Sequence, residues 1–153
     1  MIRPIRLQRL FGLFSFALLA TPAWAGLGES VAQISRDGLR LKAGAAQITR
    51  GVAYDRHALR TANGVQVLEF AGRDGQVFAV SFSGPAMPDL KVLLGNRYSE
   101  YAAAVHPSPS THKIYTHTSG TLELSIVKLP RGFTGSAFAP GAVPAGVNPR
   151  DLQ

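Results

Sequence analysis

Asn63-Gly-Val-Gln-Val-Leu-Glu-Phe-Ala-Gly-Arg-Asp-Gly-Gln-Val-Phe-Ala-Val-Ser-Phe82 reads as two strands and two turns. Asn63-Gly64 is the dipeptide best suited to a tight hairpin, because both residues tolerate the positive φ that its two central positions need. Residues 65–71 and 76–82 carry apolar side chains in alternation, and Gly72-Arg-Asp-Gly75 turns the chain between them. Upstream, a run through Ile48, Val52, Tyr54 and Leu59 supplies an earlier strand, so the block is predicted to be a three-stranded antiparallel meander. With two-residue turns, position 60 faces 67 and 69 faces 80. One face then collects Val65, Val67, Ala71, Phe78, Val80 and Phe82 as core. Glu69 falls on that face, where an ion pair with Arg56 or Arg60 would satisfy it. The opposite face carries His57, Leu59, Leu68, Phe70 and Ala79, and its apolar half needs a cover.

Beyond the meander, Gly84-Pro-Ala-Met-Pro-Asp-Leu90 stops the strand and starts a helix, with Asp89 at the positive end of the helix dipole. Leu90, Leu94, Tyr98, Tyr101 and Val105 recur at helical spacing, which predicts one amphipathic helix packed on the sheet. The prolines of His106-Pro-Ser-Pro-Ser110 end it. Residues 113–119 and 121–129 form a second hairpin around Gly120, and from Pro130 the composition turns to Gly, Pro and Ala, predicting an extended, partly mobile tail. The fold class is therefore α+β: meander, one helix, second hairpin, tail. Residues 26–44 hold no period for long and are read as a weakly ordered N-terminal segment, followed by an α+β domain over 45–129 and the tail over 130–153.

Residues 1–25 are of another kind. Arg3, Arg6 and Arg9 precede the apolar run 10–20, and Ala23-Trp24-Ala25 places small residues where a signal peptidase reads, with Gly26 following. This is the pattern of a cleaved secretory signal peptide, and the run is about half the roughly 20 residues a membrane-spanning helix needs. Removing 25 of 153 residues leaves 128, enough for one domain with its own core. The formal charge of +7 shrinks to +4, since 13 Lys and Arg then stand against 9 Asp and Glu. That residue of charge is spread along the chain and is not the clustered footprint that nucleic acid requires, so no nucleic-acid partner is expected. With no cysteine, disulfides, thiol chemistry and a lipoprotein anchor are excluded together. The mature chain is expected in the periplasm or outside the cell, without a transmembrane segment.

Candidate chemistry is sparse. Histidines stand at 57, 106, 112 and 117, and none is in a metal-ligand pattern; His112 and His117 point to opposite faces of a strand. His57 shares a face with Asp55, and Ser81 falls on the same predicted face two strands away, so a small hydrolase using His57 with Asp55 or Glu69 is one alternative. There is no Gly-x-Ser-x-Gly elbow, phosphate loop or dinucleotide-binding glycine pattern, and no cofactor or metal is expected. Arg97, Tyr98 and Tyr101 on the helix offer a stacking surface for a glycan or peptide. Leu59, Leu68 and Phe70 offer an apolar patch of the kind that marks contact sites.

The string Asn63-Gly64, Gly75-Gln-Val-Phe-Ala-Val80, Gly84-Pro85, Pro88-Asp-Leu90, Leu93-Leu-Gly95, Tyr98 and Tyr101 resembles a family of short exported proteobacterial proteins known as the domain of unknown function 2844. The resemblance covers most of the mature chain and extends to Ala25-Gly-Leu-Gly28, Val143-Pro-Ala-Gly-Val147 and Leu152-Gln153. Phe82 and Ser83 precede Gly84-Pro85 where the family pattern suggests an aromatic closer to it. The family brings no activity, cofactor or catalytic residue. The expectation is an exported, non-catalytic binding or interaction module whose partner is an envelope protein or polymer. Weak association with anionic polymers or lipid surfaces through the residual charge is a further alternative.

Overall fold

A computed structural model describes residues 26–105 and 114–152. The expected signal peptide, with Ala23 and Ala25 of its cleavage motif, lies outside the described residues, as do His106 and His112. Seven strands, β1 (Gln47–Arg50), β2 (Tyr54–Arg60), β3 (Gln66–Gly72), β4 (Val77–Gly84), β5 (Ile114–Thr118), β6 (Glu123–Leu129) and β7 (Gly132–Phe138), form one antiparallel sheet in the order β1-β2-β3-β4-β7-β6-β5. Helix α1 (Ile34–Arg40) and the segment α2 (Leu90–Leu94) and α3 (Tyr98–Ala104) are the helical elements. The α+β class holds, but the sheet is larger than a meander plus a hairpin.

The two central hairpins are not two-residue turns. Thr61 N–H donates to Val65 O at 2.9 Å and Gly64 N–H to Thr61 O at 3.0 Å, so the loop is Ala62-Asn63-Gly64. Gly64 has φ +84°, while Asn63 stays at negative φ. A type I′ turn needs both positive; a three-residue loop with a final left-handed glycine needs only one. Arg73-Asp74-Gly75 repeats the arrangement, with Gly75 at φ +76° and Gln76 N–H donating to Asp74 Oδ1 at 3.0 Å. The extra loop residue in the first hairpin shifts β2 by one, and a one-residue shift turns every side chain over. Leu59 therefore faces Val67 and His57 faces Glu69, not the reverse side. Arg56 and Arg60 move to the other face, and the ion pair expected for Glu69 does not form.

A bulge between β3 and β4 changes a second assignment. Phe70 pairs with Ala79 and Ala71 with Val77, leaving Phe78 as the extra residue. Phe78 turns away from Val80 and packs with Phe70 under Tyr54, whose ring stands edge-on to both at 5.7 and 6.0 Å.

One face of the sheet carries Leu59, Val67, Val80, Phe82, Leu124 and Ile126 and is covered by α1, α2 and the N-terminal residues. The N-terminal segment is thus ordered: Leu27 is completely buried and Ile34 nearly so. The single helix expected over 90–105 is broken by a 3₁₀ turn at Gly95–Arg97, where Gly95 takes φ +51°. Asp89 caps its start, accepting from Lys91 N–H at 2.9 Å. The first expected strand is likewise two, because the chain reverses at residues 51–53. Arg73 holds that corner through Val52 O at 3.0 Å and an ion pair to Asp55 at 3.3 Å.

The largest departure is the C-terminal region. Residues 132–138, read as tail from their glycines, form β7 in the interior of the sheet, hydrogen-bonded to β4 on one side and β6 on the other. A Cβ at Gly135 would lie 2.6 Å from the Phe82 ring and 2.8 Å from Ser125 O. Glycine here marks the close approach of an aromatic ring, not a mobile chain. Gly135→Ala is expected to cost about 1–3 kcal/mol by forcing Phe82 off its position, read as a lower urea midpoint. An unchanged midpoint would show that the ring has room to move.

Candidate functional site

Behind the helix-covered face lies the reverse of the sheet, and it is divided in two. At one end Leu68, Phe70, Phe78 and Ala79 form an apolar cluster closed by Leu152, with Val143 and Val147 beside it. The cover is the chain's own residues 139–152. At the other end the sheet stays open among the described residues, with a cleft of about 390 Å³ lined by Arg56, Gln66, Ser81, Ser125 and Ser136 among others. Strand pairing explains why these residues meet. Ser81 faces Ser136, Ser136 faces Ser125 and Ser125 faces Thr116, a polar row across four strands, with Leu68 of β3 facing Ser81 at its end. Ser83 and Thr134 form a second, parallel pair. A neighbouring cleft of about 250 Å³ continues from Ser125 and Ser136 to Thr116, Thr118 and Arg150. Arg150 is held there by Glu123 at 3.3 Å.

Five strands at a spacing of about 4.8 Å give the trough a length of roughly 19 Å. Its chemistry is that of hydroxyls with a cation at each end. The hydroxyls of Ser81, Ser83, Ser125 and Ser136 form no hydrogen bond among the described residues, whereas Thr134 Oγ1 donates to Phe82 O at 3.2 Å. Among the described residues Arg56 reaches only Thr49 Oγ1, at 3.5 Å. Donors and acceptors are thus available on a rigid strand scaffold. The sequence signal was present in the alternation, since Ser81 and Ser83 interleave with Val80 and Phe82, and Ser125 with Leu124 and Ile126. What brings the serines together is β7, which sequence reasoning missed.

The helix-covered face holds a second group of polar residues. Asp37 of α1 and Glu69 of β3 are 1% and 0% exposed, and none of their four carboxylate oxygens has a hydrogen-bond partner among the described residues. Burial pushes Asp37 up to about 7, against the opposing pull of Arg40 and with a smaller push from Glu29. Burial, then the charge of Asp37, pushes Glu69 up to about 8. His57, opposite Glu69, is buried and held below its ordinary value by desolvation, with Asp55 opposing. The register therefore unites His57, Asp55 and Glu69 on one face but puts Ser81 on the other, removing the nucleophile from reach. A shallow cleft of about 250 Å³ touches Asp55 and His57, yet neither Asp37 nor Glu69 lines it. Both carboxyls lie in the core, and none of the three clefts described reaches them.

The remaining expected site residues fall as follows. Leu59 is 2% exposed in the main core, and Leu68 and Phe70, at 7% and 2%, lie beneath the C-terminal segment, so they present no apolar patch. Tyr98 and Tyr101 are half-buried against the core and form a row with Tyr115, the first pair of rings tilted at 5.8 Å and the second edge-on at 5.6 Å. Arg97, also half-buried, precedes Tyr98 at the end of the 3₁₀ turn. Glu100 ties this helix to the β5–β6 turn, accepting from Thr121 Oγ1 at 2.6 Å and meeting His117 Nε2 at 3.2 Å. Those hydrogen bonds, first from Ser119 and Thr121, hold its carboxyl below the usual range.

Among the described residues no three His, Asp or Glu side chains are grouped to hold a metal ion, and no helix is long and apolar enough to cross a membrane. No curated protein and no solved structure matches the chain. The model of one family, described as a protein of unknown function (DUF2844), matches residues 23–152, and with that span covering the whole described structure the chain belongs to this family.

Proposed function

We propose that the protein is an exported, non-catalytic binding module whose ligand is a polar envelope polymer, a glycan above all, laid across the open half of the sheet. The observation that carries this reading is the row of uncommitted serine hydroxyls flanked by Arg56 and Gln66. A trough of roughly 19 Å suits several units of a chain better than one small molecule. Hydroxyl and guanidinium donors suit a sugar polymer, including one bearing carboxylates or phosphates. Export is supported by the leader pattern of residues 1–25, and the family match opens inside its closing Ala-Trp-Ala motif. The apolar patch first considered is covered from within, which moves the contact surface from Leu68 and Phe70 to their polar neighbours.

Ser136 sits in the middle of the row and is half-buried. Ser136→Tyr fills the trough with a ring and is expected to weaken retention on purified cell-wall sacculi or immobilised lipopolysaccharide by about tenfold or more, equal to about 1.4 kcal/mol. Circular dichroism of the variant reports whether the sheet is intact. Equal retention of both proteins, or retention of neither on any envelope polymer, would end this reading. A second reading, a hydrolase, rests on His57 and Asp55 lining one cleft. It requires turnover of an ester or polymer substrate that disappears in His57→Ala.

A further inference from the structure

We infer that the Ala25–Gly26 bond is open to a signal peptidase only before the domain folds, so leader removal precedes folding, which then locks the new amino terminus into the core. This inference rests on the export reading. In the reaction, water adds across that amide; the new carboxylate stays with Ala25 and the new amine with Gly26. A protease reads its substrate as an extended strand, so residues following the scissile bond must be free to adopt that form and to offer their backbone groups.

In the folded protein they are neither free nor extended. Gly26 O accepts the Glu29 amide at 2.9 Å, which bends residues 26–29 into a turn. Leu27 N–H donates to Leu93 O at 3.0 Å, and the Leu27 side chain is 0% exposed. Gly28 N–H donates to Val77 O at 2.7 Å, and Val77 N–H returns a bond to Glu29 O at 2.8 Å, stitching this turn to β4. Gly26 itself is buried at φ +134°, and a Cβ there would lie 2.4 Å from Val92 O and 2.6 Å from Gly95 N. Two independent constraints, a left-handed backbone and backbone atoms with no room to yield, restrict position 26 to glycine. The first residue after the expected cut is thus a wedge between α2 and the 3₁₀ turn behind it. Cutting the folded chain would require withdrawing Leu27 from the core and breaking its backbone bonds, and proteolysis then tracks the small population in which that segment has opened.

The test uses the full chain, residues 1–153, with purified signal peptidase in detergent and mass spectrometry of the product. Peptidase is added either as the chain is diluted from urea or after it has refolded. The expected result is a product beginning at Gly26 from the first sample and cutting slower by about tenfold or more in the second. Gly26→Ala, which cannot seat the turn, should bring the two rates together. Equal rates for the unaltered chain would overturn the inference while leaving the leader intact as a reading. Absence of cutting between residues 25 and 26 in both samples would overturn the export reading, and this inference with it.

Discussion

Between pH 4 and pH 8 the protein is expected to become less stable, against the usual trend for carboxylates, and Glu69→Gln is expected to remove much of that loss. Asp37 and Glu69 hold folded pKa values of about 7 and about 8, above the ordinary 3.8 and 4.5 of the unfolded chain. A group whose folded value is raised keeps its proton in the native state while the unfolded chain ionises. Its contribution is complete below pH 4, falls as pH rises, and is gone once the folded pKa is passed. One such shift of about three units corresponds to roughly 4 kcal/mol, and the two are coupled, so the pair gives less than twice that. His57 works the other way: buried and held neutral, it disfavours the fold at acid pH and ceases to do so as pH rises towards 6.5. Glu100, with its lowered value, likewise contributes stability above its unfolded pKa and loses it on acidification. Asp55, Arg40 and Glu29 are the other charged groups acting on these residues. The difference between variant and parent isolates the pair. Urea midpoints of the two proteins should nearly agree at pH 5 and separate with pH, Glu69→Gln being the more stable at pH 9. Glu69→Met, which replaces an unpartnered buried acid by an apolar chain, should stabilise across the whole range. Parallel curves for parent and Glu69→Gln would mean that the carboxyl is ionised and satisfied in solution.

The same residue shows how far the sequence could be read. Alternation through Val65, Val67, Val80 and Phe82 identified two strands and placed Glu69 on the core face, and both stand. The register of β2 did not follow, because Asn63-Gly64 serves a two-residue and a three-residue loop equally well. Both loops put Gly64 at positive φ; they differ in the φ of Asn63, which tertiary context settles. That single residue exchanged His57 and Leu59 with Arg56 and Ala58 between faces. Phe78 was misplaced by the bulge, which no local pattern announces. The polar trough was half legible: each strand showed its serines, but the row exists only because β7 lies between β4 and β6. Residues 132–138 hid as a strand because Gly132 and Gly135 lower the apparent strand propensity while serving close packing.

Truncation after Phe138 is expected to cost several kcal/mol and to expose a sticky surface, although residues 139–152 contain little regular structure. Leu152 is 6% exposed in the reverse-face cluster, where Val143 and Val147 pack beside it, and Ala139, 1% exposed, joins the main core. Burying one leucine contributes about 2 kcal/mol and each partly buried valine about half as much, so their loss approaches a third or more of a typical domain's 5–15 kcal/mol. The segment is anchored at its start by Ala139 N–H to Phe78 O at 2.9 Å and at its end by Arg150 to Glu123 at 3.3 Å. Removing it uncovers Leu68, Phe70, Phe78 and Ala79 together, which predicts a lower urea midpoint, dye binding and self-association. Leu152→Asp should reproduce a smaller part of the effect without shortening the chain. Cutting earlier, at residue 130, also deletes β7 and separates β4 from β6, so that chain should not fold as one sheet. A truncation at 138 with the parent's midpoint and no dye binding would return the segment to the loose tail its composition suggests. The same variant bears on binding, because Arg150 closes one end of the hydroxyl trough. Loss of polymer retention in Arg150→Ala, with the fold intact, would then separate the segment's part in the trough from its part as a lid on the core.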